Sequence, residues 1–137
     1  MGAAVAIRSE VLALLLEHAR RDAHRECCGV LAGRDDVIAR AFAATNAAAN
    51  PAIGYEIAPK ELFRLMREIR AAGLELLGIY HSHPASENQP SPRDIELAYY
   101  PDAAYFILSP RADTPRPIRA FRIREGRAAE LEIVLAG

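Results

Sequence analysis

Tryptophan is absent from this chain of 137 residues, and its two cysteines, Cys27 and Cys28, are neighbours. Adjacent cysteines rarely form an ordinary disulfide, so a disulfide framework is excluded, and both are expected to be small apolar residues of a strand. An excess of charge is lacking as well, because the formal net charge is −1. That balance argues against nucleic acid or an anionic membrane as the partner.

Long hydrophobic runs are also missing, and no apolar stretch would cross a bilayer. Residues 1–7 lack the basic region of a signal peptide, so we expect a cytoplasmic protein. What is present is a globular composition, with 51% hydrophobic and 26% charged residues. Length and composition together predict a single domain over residues 1–137.

Apolar periodicity predicts helices and strands in turn. One amphipathic helix is expected over about residues 10–20, capped by Ser9, and a second begins at Pro59 and stops at Gly73. A third would begin after Ser91 and end before Pro101. Strands are predicted over residues 27–32, 37–45, 55–57, 74–80, 103–108, 118–124 and 128–135. This order predicts a mixed sheet with helices, of α/β or α+β class.

The segment from His81 to Asp94 contains the residues best suited to chemistry. His81 and His83 stand two apart at the end of the predicted strand 74–80, so their imidazoles point the same way. Asp94 lies in the first turn of the following helix. Two imidazoles and a carboxylate are a three-ligand set for a catalytic zinc ion that keeps a fourth position for water.

The residues alone leave other interpretations open. Two histidines at a strand end are common, and Ser91 with Asp94 forms the pattern of a helix capping box. Two histidines and a carboxylate are also the facial triad of non-haem iron oxygenases. Ligand types and spacing therefore indicate a metal site without deciding which metal it holds.

The spacing His81-x-His83, seven residues, then Ser91-x-x-Asp94 resembles the JAMM motif of the MPN-plus zinc metalloproteases. Glu26, ahead of the apolar run 27–32, resembles the upstream glutamate of that family. The resemblance implies that His81, His83 and Asp94 bind one Zn²⁺. It also implies that Glu26 is the general base and then the acid of hydrolysis, and that Ser91 stabilises the oxyanion.

The same resemblance implies a cytidine-deaminase-like fold, in which a curved mixed sheet surrounds one helix and a second helix lies outside. It further implies a single JAMM domain of the small bacterial Mec type, which hydrolyses the bond after the C-terminal Gly-Gly of a ubiquitin-like sulfur-carrier protein. The carrier tail is expected to add a strand along a sheet edge, between walls at 46–55 and 84–90.

Two other functions remain open beside that one. They are an isopeptidase of the deubiquitinase kind that acts on protein conjugates, and a non-catalytic MPN scaffold. The apolar first helix would allow a homodimer. Which carrier is the substrate is not decided by the sequence.

Overall fold

The computed structural model describes residues 3–137. Within that range the chain forms seven strands and three helices. In chain order they are β1 (Ala4–Ile7), α1 (Ser9–Arg21), β2 (Cys28–Arg34), β3 (Val37–Ala44), α2 (Pro59–Ala71), β4 (Glu75–Ser82), α3 (Pro92–Glu96), β5 (Ala104–Leu108), β6 (Ile118–Arg124) and β7 (Arg127–Leu135). None of these helices has the length and apolarity needed to cross a bilayer.

The strands form one mixed sheet in the order β1-β3-β2-β4-β5-β6-β7, and the sheet closes into a barrel. Strand β1 closes it, because β1 pairs in parallel with β3 on one side and with β7 on the other. Strands β4 and β5 are also parallel, whereas β2 pairs antiparallel with β3 and β4. The predicted mixed α+β fold is confirmed.

Each of the two long helices covers one face of the sheet. The apolar face of α1, with Val11, Leu15 and Ala19, packs into a core to which all seven strands contribute. Leu65 and Ile69 of α2 pack on the opposite face. The expected arrangement of one inner and one outer helix is confirmed. The apolar face of α1 is buried in this core, so it is not available as a dimer interface. The homodimer stays a prediction.

Four local features differ from expectation. Strand β1 was not predicted, because its four residues are too few to show a pattern and its partners lie far along the chain. Ser9 does not cap α1: Arg8 is the N-cap, and the Ser9 hydroxyl donates to the Gly137 carbonyl at 2.7 Å. Residues 55–57 form no strand but belong to a loop, residues 45–58. Helix α3 is short and ends at Glu96.

The strands beside the site have no free edge. Strand β2 pairs with β3 and β4, and β4 pairs with β2 and β5. An extended tail therefore cannot add to β2 or β4, and the expectation that the tail adds a strand along a sheet edge stays a prediction.

Candidate metal centre

The two histidines lie where β4 ends. His81 is the penultimate residue of β4, and the His83 amide donates to the Leu108 carbonyl at 2.8 Å, which extends the register of β4 on β5. Both side chains are buried, and their Nε2 atoms lie 3.1 Å apart. The predicted convergence of the two rings is therefore present in the structure.

Helix α3 places Asp94 against both rings. Its Oδ2 lies 3.0 Å from His83 Nε2 and 3.2 Å from His81 Nε2. The same oxygen accepts the Ser91 amide at 2.9 Å, while the Ser91 hydroxyl accepts the Asp94 amide at 3.1 Å. The capping box and the approach to the histidines thus coexist, so the two interpretations of Asp94 are compatible.

The donor set fits a zinc ion. His83 Nδ1 lies 2.8 Å from the Glu87 carbonyl, which can only accept, so the proton of neutral His83 is on Nδ1 and Nε2 offers its lone pair. Three potential donor atoms then face one another at 3.0–3.2 Å. In a tetrahedral zinc site, bonds of about 2.0–2.1 Å separate the ligand atoms by about 3.3 Å. The lone pairs of these three atoms repel one another, and a cation bound between them would offset that repulsion.

Burial and hydrogen bonding shift the pKa values of these groups in different directions. Burial lowers the pKa of His81, so that ring stays neutral at pH 7. Burial also disfavours charge on His83 and Asp94, but their hydrogen bonds outweigh it. The pKa of His83 is raised, and that of Asp94 is held well below its ordinary range by His81 and His83. A carboxylate that stays ionised is suited to ligation.

Glu26 supplies a second carboxylate beside the same nitrogens. It precedes β2, is buried, and has an oxygen within 4.8 Å of ligating atoms of His81 and His83. Asp94 is nearer, so the geometry favours Asp94 over Glu26 as the third ligand. Burial, the largest influence, raises the pKa of Glu26 to about 7, and Oε1 has no hydrogen-bond partner within residues 3–137. Such a carboxyl can both accept and donate a proton near neutral pH.

The two cysteines behind Glu26 are buried and free, as expected. Burial raises the pKa of Cys27 to about 11 and that of Cys28 to about 12. Both thiols therefore stay protonated at neutral pH and act as small apolar residues. The Cys27 backbone has a further role: its amide donates to Ser82 Oγ at 2.9 Å and its carbonyl accepts the Ser82 amide at 3.1 Å, which ties the Glu26 segment to the end of β4.

Sequence reasoning missed several residues that support this site. In the sequence, Tyr55 and Asn88 are each compatible with a structural role, in packing or a turn, and with substrate contact. The Tyr55 ring stacks on His81, with centroids 4.4 Å apart, whereas Asn88 is buried and donates to the Arg116 carbonyl at 2.7 Å. Asn46 begins the expected wall 46–55 and belongs to no motif, although its side chain donates to the Glu26 carbonyl at 2.9 Å. These contacts join residues far apart in the sequence, so spacing could not reveal them.

A groove of about 190 Å³ opens beside Asp94. Its walls are mainly apolar and aromatic. They are formed by Val30, Tyr55, Glu56, Ile57, Leu62, Ile79, Arg93, Leu97, Tyr99, Tyr100 and Tyr105. The expected wall at 46–55 is thus present at Tyr55, whereas the tract 84–90 does not line this groove.

This chain matches one protein family and several known proteins. The family described as prokaryotic homologs of the JAB domain matches residues 8–124. The chain is 40% identical over 105 residues to a protein of Haloferax volcanii named desampylase, covering 75% of this chain and 76% of the relative. It is 37% identical over 126 residues to the CysO-cysteine peptidase of Mycobacterium tuberculosis, covering 90% and 86%.

A solved structure has the same fold. The solution structure of a protein from Desulfitobacterium hafniense superposes with a TM-score of 0.81 at 30% sequence identity, and the match covers 96% of this chain and 92% of that one. This chain therefore shares its fold with that solved structure over nearly its whole length.

Proposed function

Because the chain belongs to the family of prokaryotic homologs of the JAB domain, we propose that it is a zinc-dependent peptidase. Its substrate would be the C-terminal tail of a ubiquitin-like carrier protein, cut after Gly-Gly. The observation that supports this most is the convergence of His81, His83 and Asp94, with the unpartnered carboxylate of Glu26 beside them. The whole of residues 1–137 would form one such domain.

In this proposal His81, His83 and Asp94 hold one zinc ion. A zinc ion held there supplies a water whose pKa is lowered from about 15.7 to about 7. Glu26 takes the proton from the attacking water at its carboxylate and delivers it to the leaving nitrogen, as a general base and then an acid. With a divalent cation nearby, the pKa of Glu26 falls back from about 7, so its carboxylate is ready to accept that proton.

Ser91 would stabilise the negative charge that develops on the scissile carbonyl oxygen. Its hydroxyl oxygen accepts the Asp94 amide, which leaves the hydroxyl proton free to be donated. A hydrogen bond that strengthens as charge develops lowers the barrier without tightening substrate binding. Ser91 can therefore cap α3 and serve the reaction at the same time.

The groove beside Asp94 is the proposed site of the carrier tail. A Gly-Gly end has no side chains, so it can pass between the loop 45–58 and α3 to reach the recessed ligands. The apolar walls, which include Ile57, Leu62 and Leu97, would receive the side chain of a tail residue upstream of the glycines. The names desampylase and CysO-cysteine peptidase are consistent with such a tail as the shared part of the substrate.

The test is the intact mass of candidate carriers after incubation with this protein. Each carrier would bear a C-terminal cysteine or short peptide after Gly-Gly, and a second set would be linked through lysine to a protein. Loss of the added mass that a chelator stops and zinc restores would support the proposal. The set that is cleaved separates release of a C-terminal extension from isopeptide cleavage. An absence of cleavage in both sets by protein carrying one zinc would favour a binding scaffold instead.

A further inference from the structure

Glu26 is not held by a regular element of its own. It lies between the end of α1 at Arg21 and the start of β2 at Cys28. Its buried Oε1 has no hydrogen-bond partner in the described part of the chain. The position of this carboxylate therefore depends on how the Glu26 backbone is fixed.

The loop 45–58 fixes that backbone from both sides of the residue. The Glu26 amide donates to the Pro51 carbonyl at 2.7 Å. The Glu26 carbonyl accepts from Nδ2 of Asn46 at 2.9 Å. Both backbone polar groups of Glu26 are thus bonded to one loop, and a displacement of the loop would displace the carboxylate.

Asn46 also determines the conformation of the loop itself. Its Nδ2 donates to the Gly54 carbonyl at 2.9 Å, and its Oδ1 accepts the amides of Ala48 at 3.0 Å and Glu56 at 3.2 Å. With the bond to Glu26, both donors and both acceptor positions of the side-chain amide are used. Because all of these positions are used, the orientation of the Asn46 side chain is defined.

Two of these bonds flank Tyr55, because Gly54 and Glu56 are its neighbours. The Tyr55 ring stacks on His81 with an interplanar angle of 20° and 4.4 Å between centroids. One side-chain amide therefore joins the backbone of Glu26 to the backbone on either side of the residue that packs against His81. The general base and a metal ligand are located with respect to each other through Asn46.

We propose that Asn46 is a positioning residue that fixes the positions of Glu26 and Tyr55 relative to the metal ligands. Its effect on catalysis depends on the proposed peptidase function, whereas its effect on the loop does not. A displacement of about 1 Å at a reacting group can lower a rate about 10²-fold. Asn46→Ala would remove four hydrogen bonds from this loop, one of which holds the Glu26 backbone.

The first test measures amide hydrogen exchange and needs no substrate. In Asn46→Ala the Glu26 and Glu56 amides should exchange about tenfold faster, as expected for the loss of about one net hydrogen bond. Asn50→Ala is the matched control, because Asn50 is an exposed asparagine of the same loop. Unchanged protection in Asn46→Ala, or an equal effect in Asn50→Ala, would overturn the proposal.

The second test asks whether Asn46 acts through Glu26. In Asn46→Ala, kcat should fall about 10²-fold while bound zinc stays at the wild-type level and KM changes little. In a Glu26→Gln background the same substitution should cost little more, because the group it positions is already lost. If the kcat losses of the two single variants multiply in the double variant, Asn46 acts independently of Glu26, and its role is merely structural.

Asn46→Asp covers the case in which the alanine variant does not fold. It keeps the acceptor for Glu56 and loses both donors, so protection of the Glu56 amide should persist while kcat falls. A kcat at the wild-type level would refute the role of the bond to Glu26. A wild-type protein that cleaves no carrier would refute the proposed function, and the exchange experiment would still decide whether Asn46 fixes the loop.

Discussion

Asp94 has two roles that one pair of substitutions can separate. Its Oδ2 accepts the Ser91 amide of the capping box and also lies 3.0 and 3.2 Å from the two histidine nitrogens. Asp94→Asn keeps an oxygen for the Ser91 amide but removes the negative charge. Asp94→Ala removes both. If Asp94 is only a helix cap, the asparagine variant should resemble the wild type, whereas a metal ligand requires the charge.

The expected magnitudes differ for the two roles. Loss of a capping interaction costs about 1 kcal/mol of the free energy of unfolding, so metal-free Asp94→Ala should be less stable than metal-free Asp94→Asn by about that amount. Loss of a group that merely orients a ligand already lowers metal affinity about 10- to 100-fold. Removal of a ligand itself should cost more, so both variants should lose at least about 10²-fold in zinc affinity.

Two assays decide between the roles. Zinc affinity is measured by competition with a chromophoric chelator, and stability by denaturant unfolding of the metal-free proteins. Asp102→Asn is the control, because the Asp102 side chain is 94% exposed and remote from the histidines. Wild-type zinc affinity and carrier cleavage in Asp94→Asn would refute the assignment of Asp94 as a ligand.

Three further predictions concern Glu26, Ser91 and His18. Glu26→Gln should retain one zinc ion and lose at least about 10²-fold in kcat; full activity in a steady-state assay would remove Glu26 from the reaction. Ser91→Ala should lower kcat by about 10²-fold and the free energy of unfolding by about 1 kcal/mol, whereas Ser91→Thr should preserve most of both; equal kinetics for the two variants would contradict the oxyanion role. Burial, opposed by Asp22, lowers the pKa of His18, whose Nδ1 lies 2.9 Å from the Tyr80 hydroxyl. The unfolded chain therefore binds more protons, and stability present above the ordinary pKa of about 6.5 decreases as the pH falls below it. Between pH 7 and 5.5, about the range in which an ordinary histidine titrates, the free energy of unfolding of the zinc-loaded protein should decrease less in His18→Asn than in the wild type. An identical decrease would refute the contribution of His18 to this pH dependence.

Local signals in the sequence predicted most of the fold. The α2 helix shows a proline at its first turn, apolar residues at helical spacing, and a glycine, Gly73, with φ +72° just beyond its end. The predicted strands 27–32 and 37–45 form the β2–β3 hairpin, and its turn contains Asp35 and Asp36, whose φ angles of 53° and 59° are those of a tight hairpin turn. Propensity and periodicity act over few residues, so these elements are visible without tertiary information.

Barrel closure could not be predicted in the same way. It depends on β1, whose residues pair with Val37 and Ile38 of β3 and with residues 132–135 of β7. A four-residue segment has no distinctive periodicity, and parallel pairing between the two ends of the chain leaves no local mark. The capping of α1 was mistaken for a related reason, because Ser9 bonds to the far C-terminal residue Gly137.

The candidate ligands could be identified from the sequence. The residues that pack against them could not. His81, His83, Ser91 and Asp94 lie within one short segment at fixed spacing, so the sequence indicated that they could converge on one point. The support comes from elsewhere: Tyr55 stacks on His81 from a loop far upstream. Spacing within one segment cannot show which loop will fold over it.

Zinc-dependent cleavage after Gly-Gly would be measured as the rate of carrier cleavage during zinc titration of the metal-free protein. A carrier with a C-terminal extension after Gly-Gly would be followed by intact mass. We expect no cleavage without metal, a rate that rises in proportion to zinc up to one equivalent, and a new C-terminus at Gly-Gly. Cleavage that persists in the metal-free protein, or a product cut elsewhere in the tail, would contradict this expectation.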